Sequence, residues 1–395
     1  MKTLLRLIKY LFTLLFLMVA GGFAVMYYLD PVVTTRLVQA PFSGIPGPRE
    51  RVPGGTPVDI PAATAPGISA AALDQAVAYG RETGSHALLV YRDDGIELEH
   101  YYPGHDADSI TPTQSMHKSV LAMLVGIAIE EGHIGSVDDP AAKYLDEWAN
   151  DERAGITIRH MLRQTSGIDF ATIGFNPLGG FFQLMLGADV TGASLHLPLA
   201  VEPGTQFDYN SAIPQNMGLL IQRATGKRYA EYLSEALWRH IGAPDAFVLL
   251  DSDEKRMPRT SCCLEATARS WLHVGLLHLQ QGRFAGRQVV PADWIREISV
   301  PGKINPDYGY FTWLGNEYRE YRYYNRRTST RVFHSEPFVA PDVTFFDGFG
   351  GQRVYIIPSH RLVIVRTGSM ATDWDDAYLP NLIVRDLIKK ASDQT

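Results

Sequence analysis

The chain has 395 residues, 46% hydrophobic and 20% charged, which is enough apolar material for one large core or two smaller ones and too much for a disordered chain. Its 35 glycines and 24 prolines fall short of a collagen-like or low-complexity composition. Lys plus Arg at 36 against Asp plus Glu at 43 leaves a formal charge of −7, which removes any general electrostatic reason to bind nucleic acid.

Lys2, Arg6 and Lys9 precede YLFTLLFLMVAGGFAVMYYL, residues 10–29, which carry no charge. A helix of that length spans roughly 30 Å, the hydrocarbon thickness of a bilayer. The basic flank holds the N-terminus in the cytoplasm and sends the rest across, with Tyr27 and Tyr28 at the level of an interfacial aromatic belt. Residues 1–30 are therefore expected to be a single-pass anchor in the inner (cytoplasmic) membrane, with the lipid bilayer as partner for residues 10–29 and the downstream domain on the periplasmic or extracellular side. The small residues Ala20 and Gly22 leave a cleaved signal segment, and hence secretion, as the alternative.

Residues 31–67 are rich in proline and glycine and are expected to form an extended linker or a surface strap without regular elements. The globular domain is placed at 68–395. Within it, AALDQAVAYGRETG predicts a helix ending near Gly84, and HALLVYRDDGIELEHYY predicts a hairpin turning at Asp94-Gly95. After Pro112, TQSMHKSVLAMLVGIAIEEGHI predicts a strongly apolar helix with a polar start. Tyr229 to Gly242 and Thr267 to Arg283 are helical in pattern, RVYIIP and RLVIVRTG read as neighbouring strands, and LPNLIVRDLIKKA closes the chain as a helix. The pattern is that of an α/β region interrupted by an all-α region, with a cleft between the two.

Ser115 and Lys118 are three residues apart, so on a helix their side chains share a face. A serine hydroxyl is a weak nucleophile unless a base takes its proton, and a buried lysine with a depressed pKa can be that base. A helix start also offers unpaired N–H groups to developing negative charge. The same spacing recurs at Ser252 and Lys255 in the charged stretch DSDEKR, with no apolar helix behind it; a solvated turn is expected there, and it serves as an internal control.

The surroundings of Ser115 resemble the penicillin-recognising serine hydrolases, a family that includes class C β-lactamases, D-alanyl-D-alanine carboxypeptidases, related esterases and 6-aminohexanoate-dimer hydrolases. The likeness runs over about residues 75 to 390. It is carried by Ser115-Met116-His117-Lys118, ITIRHMLRQTSGI (156–168), VEPGTQFDYNS (201–211), GRQVVPADWI (286–295) and GFGGQRVYIIP (348–358). The resemblance implies a β-lactamase/transpeptidase-like fold, an antiparallel sheet flanked by helices, here preceded by one transmembrane helix. It also implies that Tyr209 is the second-motif tyrosine, its phenol acidified by the lysine ammonium so that it relays protons.

This chain departs from the family pattern at two motifs. Ser211 stands where an asparagine is common, with Asn210 beside it, and both are expected to contact substrate. The third motif aligns with Phe346-Asp347-Gly348, which retains only the glycine. Gly348 is expected to let substrate approach the strand, and the Phe349 N–H to join that of Ser115 as an oxyanion hole. Asp347 is expected to face the pocket and favour cationic or neutral substrates. The resulting expectation is a serine hydrolase that cleaves a small ester or linear amide through an acyl-enzyme, without cofactor or metal. The alternatives are D-alanyl peptidase or β-lactamase activity, or a catalytically silent membrane-tethered binding protein.

Three features are left over. His117 should point away from the Ser115 and Lys118 face. Cys262 and Cys263 provide neither a disulfide framework nor a zinc site and are expected to be buried packing residues. Residues 302–338, dense in aromatics and arginine, fit either a pocket wall or acidic-lipid contact, or a solvated hairpin with aromatic cross-strand pairs.

Overall fold

The strand-forming runs near the two ends of the domain meet in one sheet. The structure, a computed structural model, describes residues 2–43, 45–170, 176, 178–325 and 328–393. Six antiparallel strands are ordered Gly95–Tyr101, Ser85–Arg92, Leu362–Gly368, Gln352–Ile357, Thr344–Gly348 and Trp313–Leu314. Alternation along Ser85–Arg92 explains its unbroken apolar run. Leu88 and Val90 pack with Ala72, Ala76, Leu379 and Ile383 of the helices Ala70–Glu82 and Tyr378–Asp393, whereas Ala87 and Leu89 belong to the core that includes the helix Ala268–Leu279. Each of the leucine, isoleucine and valine side chains so buried contributes about 1.5–3 kcal/mol. A Cβ on Gly275 would lie 2.7 Å and 2.8 Å from the side chains of Val363 and Val354, so the bare glycine lets that helix settle onto the sheet. On the opposite face, Ser69 caps its helix at Ala72 and donates to Asp386 (2.6 Å), joining the first and last helices of the domain.

The second, four-stranded sheet matters most for function. Its order is Arg49–Val52, Ala246–Leu249, Leu264–Thr267 and Ile110–Pro112. The pairing of Ile110–Pro112 with Leu264–Thr267 brings the residues just after one strand, including Ser115, against those just before the other, Ser261 to Cys263. Thr113 Oγ1 donates to Leu264 O (3.0 Å) and fixes that junction. The largely helical region lies beyond it, built on His117–Glu130, Ala212–Thr225 and Tyr229–Ala236.

The linker expectation needs correcting. Pro31–Ser43 is a helix, because Pro31 occupies its first position, where a missing N–H costs nothing, and no glycine or proline follows until Pro41. Arg36 ties this helix to the carbonyls of Leu186 and Gly187 (2.9 Å and 3.0 Å). Farther on, Arg49–Val52 is a paired strand and Ala62 bridges Ile96, so residues 45–67 form a strap anchored to the domain. The N-terminal helix Lys2–Leu29 contains an apolar stretch, Leu4–Leu29, long enough to cross a membrane.

Of the readings open for residues 302–338, paired strands are present. Tyr321–Tyr323 pairs with Arg331–Phe333, and the rings of Tyr321 and Phe333 face each other at 5.6 Å. Trp313 and Tyr324 are buried inward instead. Arg326 and Arg327 of this segment lie outside the described residues.

Candidate active site

Ser115 sits in the short 3₁₀ turn Gln114–Met116, which runs directly into the helix His117–Glu130 rather than belonging to it as expected. The preceding residue, Gln114, has φ +51°, a left-handed conformation that costs a non-glycine residue about 1–3 kcal/mol and turns the chain sharply at the serine. Lys118 follows one turn later. Its Nζ is 2.6 Å from Ser115 Oγ and 2.6 Å from the Ser261 carbonyl, and 5.0 Å from the centre of the Tyr209 ring. Burial lowers the Lys118 pKa to about 7, with the Asp347 charge opposing that shift. Near neutral pH a substantial fraction of this amine is therefore uncharged and able to accept the Ser115 proton.

Tyr209 lines the same cavity as Ser115, and its ring centre is 5.0 Å from Lys118 Nζ, so the three candidate catalytic residues meet there. The expected acidification of the Tyr209 phenol is not found. Burial, helped by the Asp347 charge, pushes the phenol well above its ordinary value, so Tyr209 stays protonated at neutral pH.

Asp347 also departs from expectation. It lines the cavity at Ser115, yet its Oδ1 is 2.8 Å from both Arg322 Nη2 and Arg353 Nη1. The same two arginines hold Asp376 at 2.8 Å and 2.7 Å. Burial alone would raise the Asp376 carboxyl, but the two guanidiniums outweigh it and hold it below the usual range. Two buried carboxylates and two buried guanidiniums balance in number, although Asp347 Oδ2 has no hydrogen-bond partner among the described residues and the Asp347 charge still acts on Lys118 and Tyr209. Removing one member would strand a buried charge, a loss of roughly 3–5 kcal/mol.

Gly348 is needed for a reason other than the expected one. A Cβ there would lie 2.2 Å from the Thr113 carbonyl, so the glycine lets the strand close against the backbone leading into Ser115, and substrate is not what fills that space. Phe349, the next residue, is 43% exposed at the cavity rim. Ser211 lines the cavity, but Asn210 is absent from its wall. The Asn210 Oδ1 accepts from Ile213 N (3.0 Å), and its backbone exchanges two hydrogen bonds with the Gln164 side chain, so it shapes the turn beneath Tyr209.

The cavity has a volume of about 150 Å³, and Phe181, Met185, Tyr324 and Phe349 give it an apolar wall around the polar group of Ser115, Tyr209 and Ser211. Sequence patterning passed over Ser261, the arginine pair and Gln164. Gln164 lies inside the quoted stretch 156–168, but the roles of Ser261 and the arginines depend on contacts distant in sequence. Cys262 and Cys263 are buried as expected; they are joined to each other as a vicinal disulfide, and Cys262 lines the cavity. His117 is fully buried and bonded to the Cys262 carbonyl and to Tyr229 Oη (2.6 Å), away from the cavity. At the control motif, Ser252 Oγ donates to the Ala188 carbonyl and accepts from the Lys255 backbone N–H (3.1 Å), while the Lys255 amine pairs with Asp189, so hydroxyl and amine do not meet there.

A serine and a lysine at a helix start, placed between an antiparallel sheet and a helical region, define the β-lactamase/transpeptidase-like architecture. The chain belongs to the Beta-lactamase family, whose family model matches residues 71–383. It is similar to the 6-aminohexanoate-dimer hydrolase of Paenarthrobacter ureafaciens, 27% identical over 231 residues that cover 56% of this chain and 58% of that protein. The match thus spans less than two thirds of that relative's length. Among solved structures it superposes on a Bacillus anthracis protein provisionally named a 6-aminohexanoate-dimer hydrolase, with TM-score 0.67, 20% identity, and 88% and 90% of the two chains covered. It also superposes on EstCE1, described as a hydrolase with promiscuous acyltransferase activity, with TM-score 0.60, 14% identity, and 80% and 96% covered.

Proposed function

We propose that the protein is a serine hydrolase that cleaves a small ester or linear amide by two-step acyl transfer. Ser115 attacks the carbonyl, neutral Lys118 takes its proton, and that proton passes on through the Tyr209 hydroxyl, which gives one proton to the leaving group as it receives another from Lys118. The Ser115 and Phe349 N–H groups receive the oxyanion, and water then releases the acyl group. The observation that carries this reading is the 2.6 Å contact between Ser115 Oγ and a fully buried lysine amine. The small apolar cavity and the paired carboxylate of Asp347 favour a compact neutral acyl group over an anionic one. The names of the Paenarthrobacter relative and of EstCE1 agree with amide or ester chemistry.

The test is a panel of p-nitrophenyl esters, linear ω-amino amides, D-alanyl peptides and a chromogenic β-lactam. Short esters and linear amides are expected to turn over fastest and the β-lactam slowest. Preferential β-lactam hydrolysis would overturn the substrate assignment, and inertness toward the whole panel would favour a silent binding protein.

The apolar N-terminal helix is proposed as a retained anchor that holds the hydrolase on the outer side of the cytoplasmic membrane. Fractionation should find the full-length chain in the membrane pellet, with the domain open to protease from outside; a soluble form starting near Gly22 would contradict the anchor.

A further inference from the structure

Tyr209 lies in a stretch, residues 206–210, that belongs to no helix or strand, so its place depends on what that stretch is bonded to. A second loop, just after the helix Ile158–Leu162, supplies those bonds. Ala200 N donates to Gly167 O (2.8 Å) and Gly204 N to Thr165 O (2.7 Å). Nearest the phenol, the contacts converge on Gln164. Its backbone oxygen accepts from Asp208 N (2.9 Å), its side-chain Oε1 accepts from Asn210 N (3.1 Å), and its Nε2 donates to Asn210 O (3.1 Å). The residues on both sides of Tyr209 are thus held by one amino acid, and an amide suits the task because it offers a donor and an acceptor side by side. Asn325 adds a hydrogen bond from its Nδ2 to the Tyr209 carbonyl (3.2 Å).

Gln164 is 1% exposed and has φ +56°, a left-handed conformation that costs a non-glycine residue about 1–3 kcal/mol. Strain of this kind persists where the surrounding contacts over-determine it. Here Gln164 N donates to the carbonyl of Met161 (3.1 Å), and Met161 and Leu162 are fully buried. Gln164 is absent from the wall of the catalytic cavity, so its route to the reaction runs through Tyr209. That route matters because a proton passes well only between atoms within about 2.6–3.2 Å, and a displacement of about 1 Å can cost on the order of 10²-fold.

We propose that Gln164 is a positioning residue for departure of the leaving group: by fixing the peptides on both sides of Tyr209 it sets where the phenol hydroxyl stands. The inference rests on the hydrolase reading, in which Tyr209 relays the proton.

The experiment compares kcat/KM, which reports acylation, for p-nitrophenyl butyrate and ethyl butyrate in the full-length protein. The two esters share an acyl group, but p-nitrophenolate departs without a proton whereas the ethyl leaving group needs one. Gln164→Met keeps the bulk and loses both side-chain hydrogen bonds; Gln164→Gly loses them too and accepts φ +56° without strain. Each is expected to lower the rate on the ethyl ester at least about tenfold more than on the p-nitrophenyl ester, in the same direction as Tyr209→Phe, with folding checked by circular dichroism. Equal losses on the two esters would make Gln164 a purely structural residue. Unchanged rates would leave the packing of Tyr209 on Trp313 and Tyr324, at 5.7 Å and 5.2 Å between ring centres, as its anchor. Either result, or failure of both variants to fold, overturns the proposal. If Tyr209→Phe itself shows no difference between the esters, the relay falls and the inference with it; a difference in Tyr209→Phe but not in the Gln164 variants sinks the inference alone.

Discussion

Ser115→Ala is expected to lower kcat by roughly 10⁴-fold or more while leaving the fold in place. The loss follows from chemistry alone, because alanine offers no oxygen to attack the carbonyl and no acyl-enzyme can form. The fold should survive because Lys118, the group most exposed to the change, keeps its second partner, the Ser261 carbonyl at 2.6 Å. The Lys118 amine is therefore not stranded, so the melting temperature should stay within a few degrees of the parent. Ser252→Ala is the matched control and should leave turnover unchanged, since that hydroxyl serves a surface turn whose lysine has another partner. Steady-state rates on the best ester of the panel, with calorimetric melting alongside, check both halves. Residual turnover near the parental rate would remove Ser115 from the mechanism.

Lys118 should show the second largest effect, and its pH dependence gives the result a sign. Below its pKa of about 7 the amine is protonated and cannot accept the serine proton; above that value it can. The logarithm of kcat/KM should therefore rise by about one unit per pH unit up to pH about 7 and level off above it. Lys118→Ala should reduce acylation by roughly 10²–10⁴-fold. Lys118→Arg should fail comparably, because a guanidinium remains charged across the whole range and never becomes a base. A flat profile from pH 5 to 8, or an active arginine variant, would assign the base elsewhere.

Much of the fold could be read from the chain because its signals were local. The apolar run after Ser115, the turn at Asp94-Gly95 and the paired strands before the last helix all depend on near-neighbour periodicity. The helix Pro31–Ser43 escaped notice because its flanking prolines resemble those of a linker, although Pro31 is compatible with a first helical position.

The site was legible in part. Spacing placed Ser115 and Lys118, and motif context added Tyr209, because those residues sit in stretches with recognisable order. Their electrostatics was not legible. The rise in the Tyr209 pKa depends on complete burial, and the charge pairing at Asp347 depends on Arg322, Arg353 and Asp376, which come from separate parts of the chain. Gly348 stands out in the sequence for its missing side chain, but only the packed structure shows that the space is taken by the Thr113 carbonyl.

The central claim is that the Ser115 oxygen is an activated nucleophile. Incubation of the intact protein with a fluorophosphonate probe, followed by peptide mass analysis, tests it without knowledge of the natural substrate. The account predicts one adduct, on the peptide containing Ser115, absent from Ser115→Ala and forming faster at pH 8 than at pH 6. A protein that stays unlabelled across that range, or that carries its adduct on another serine, would contradict it.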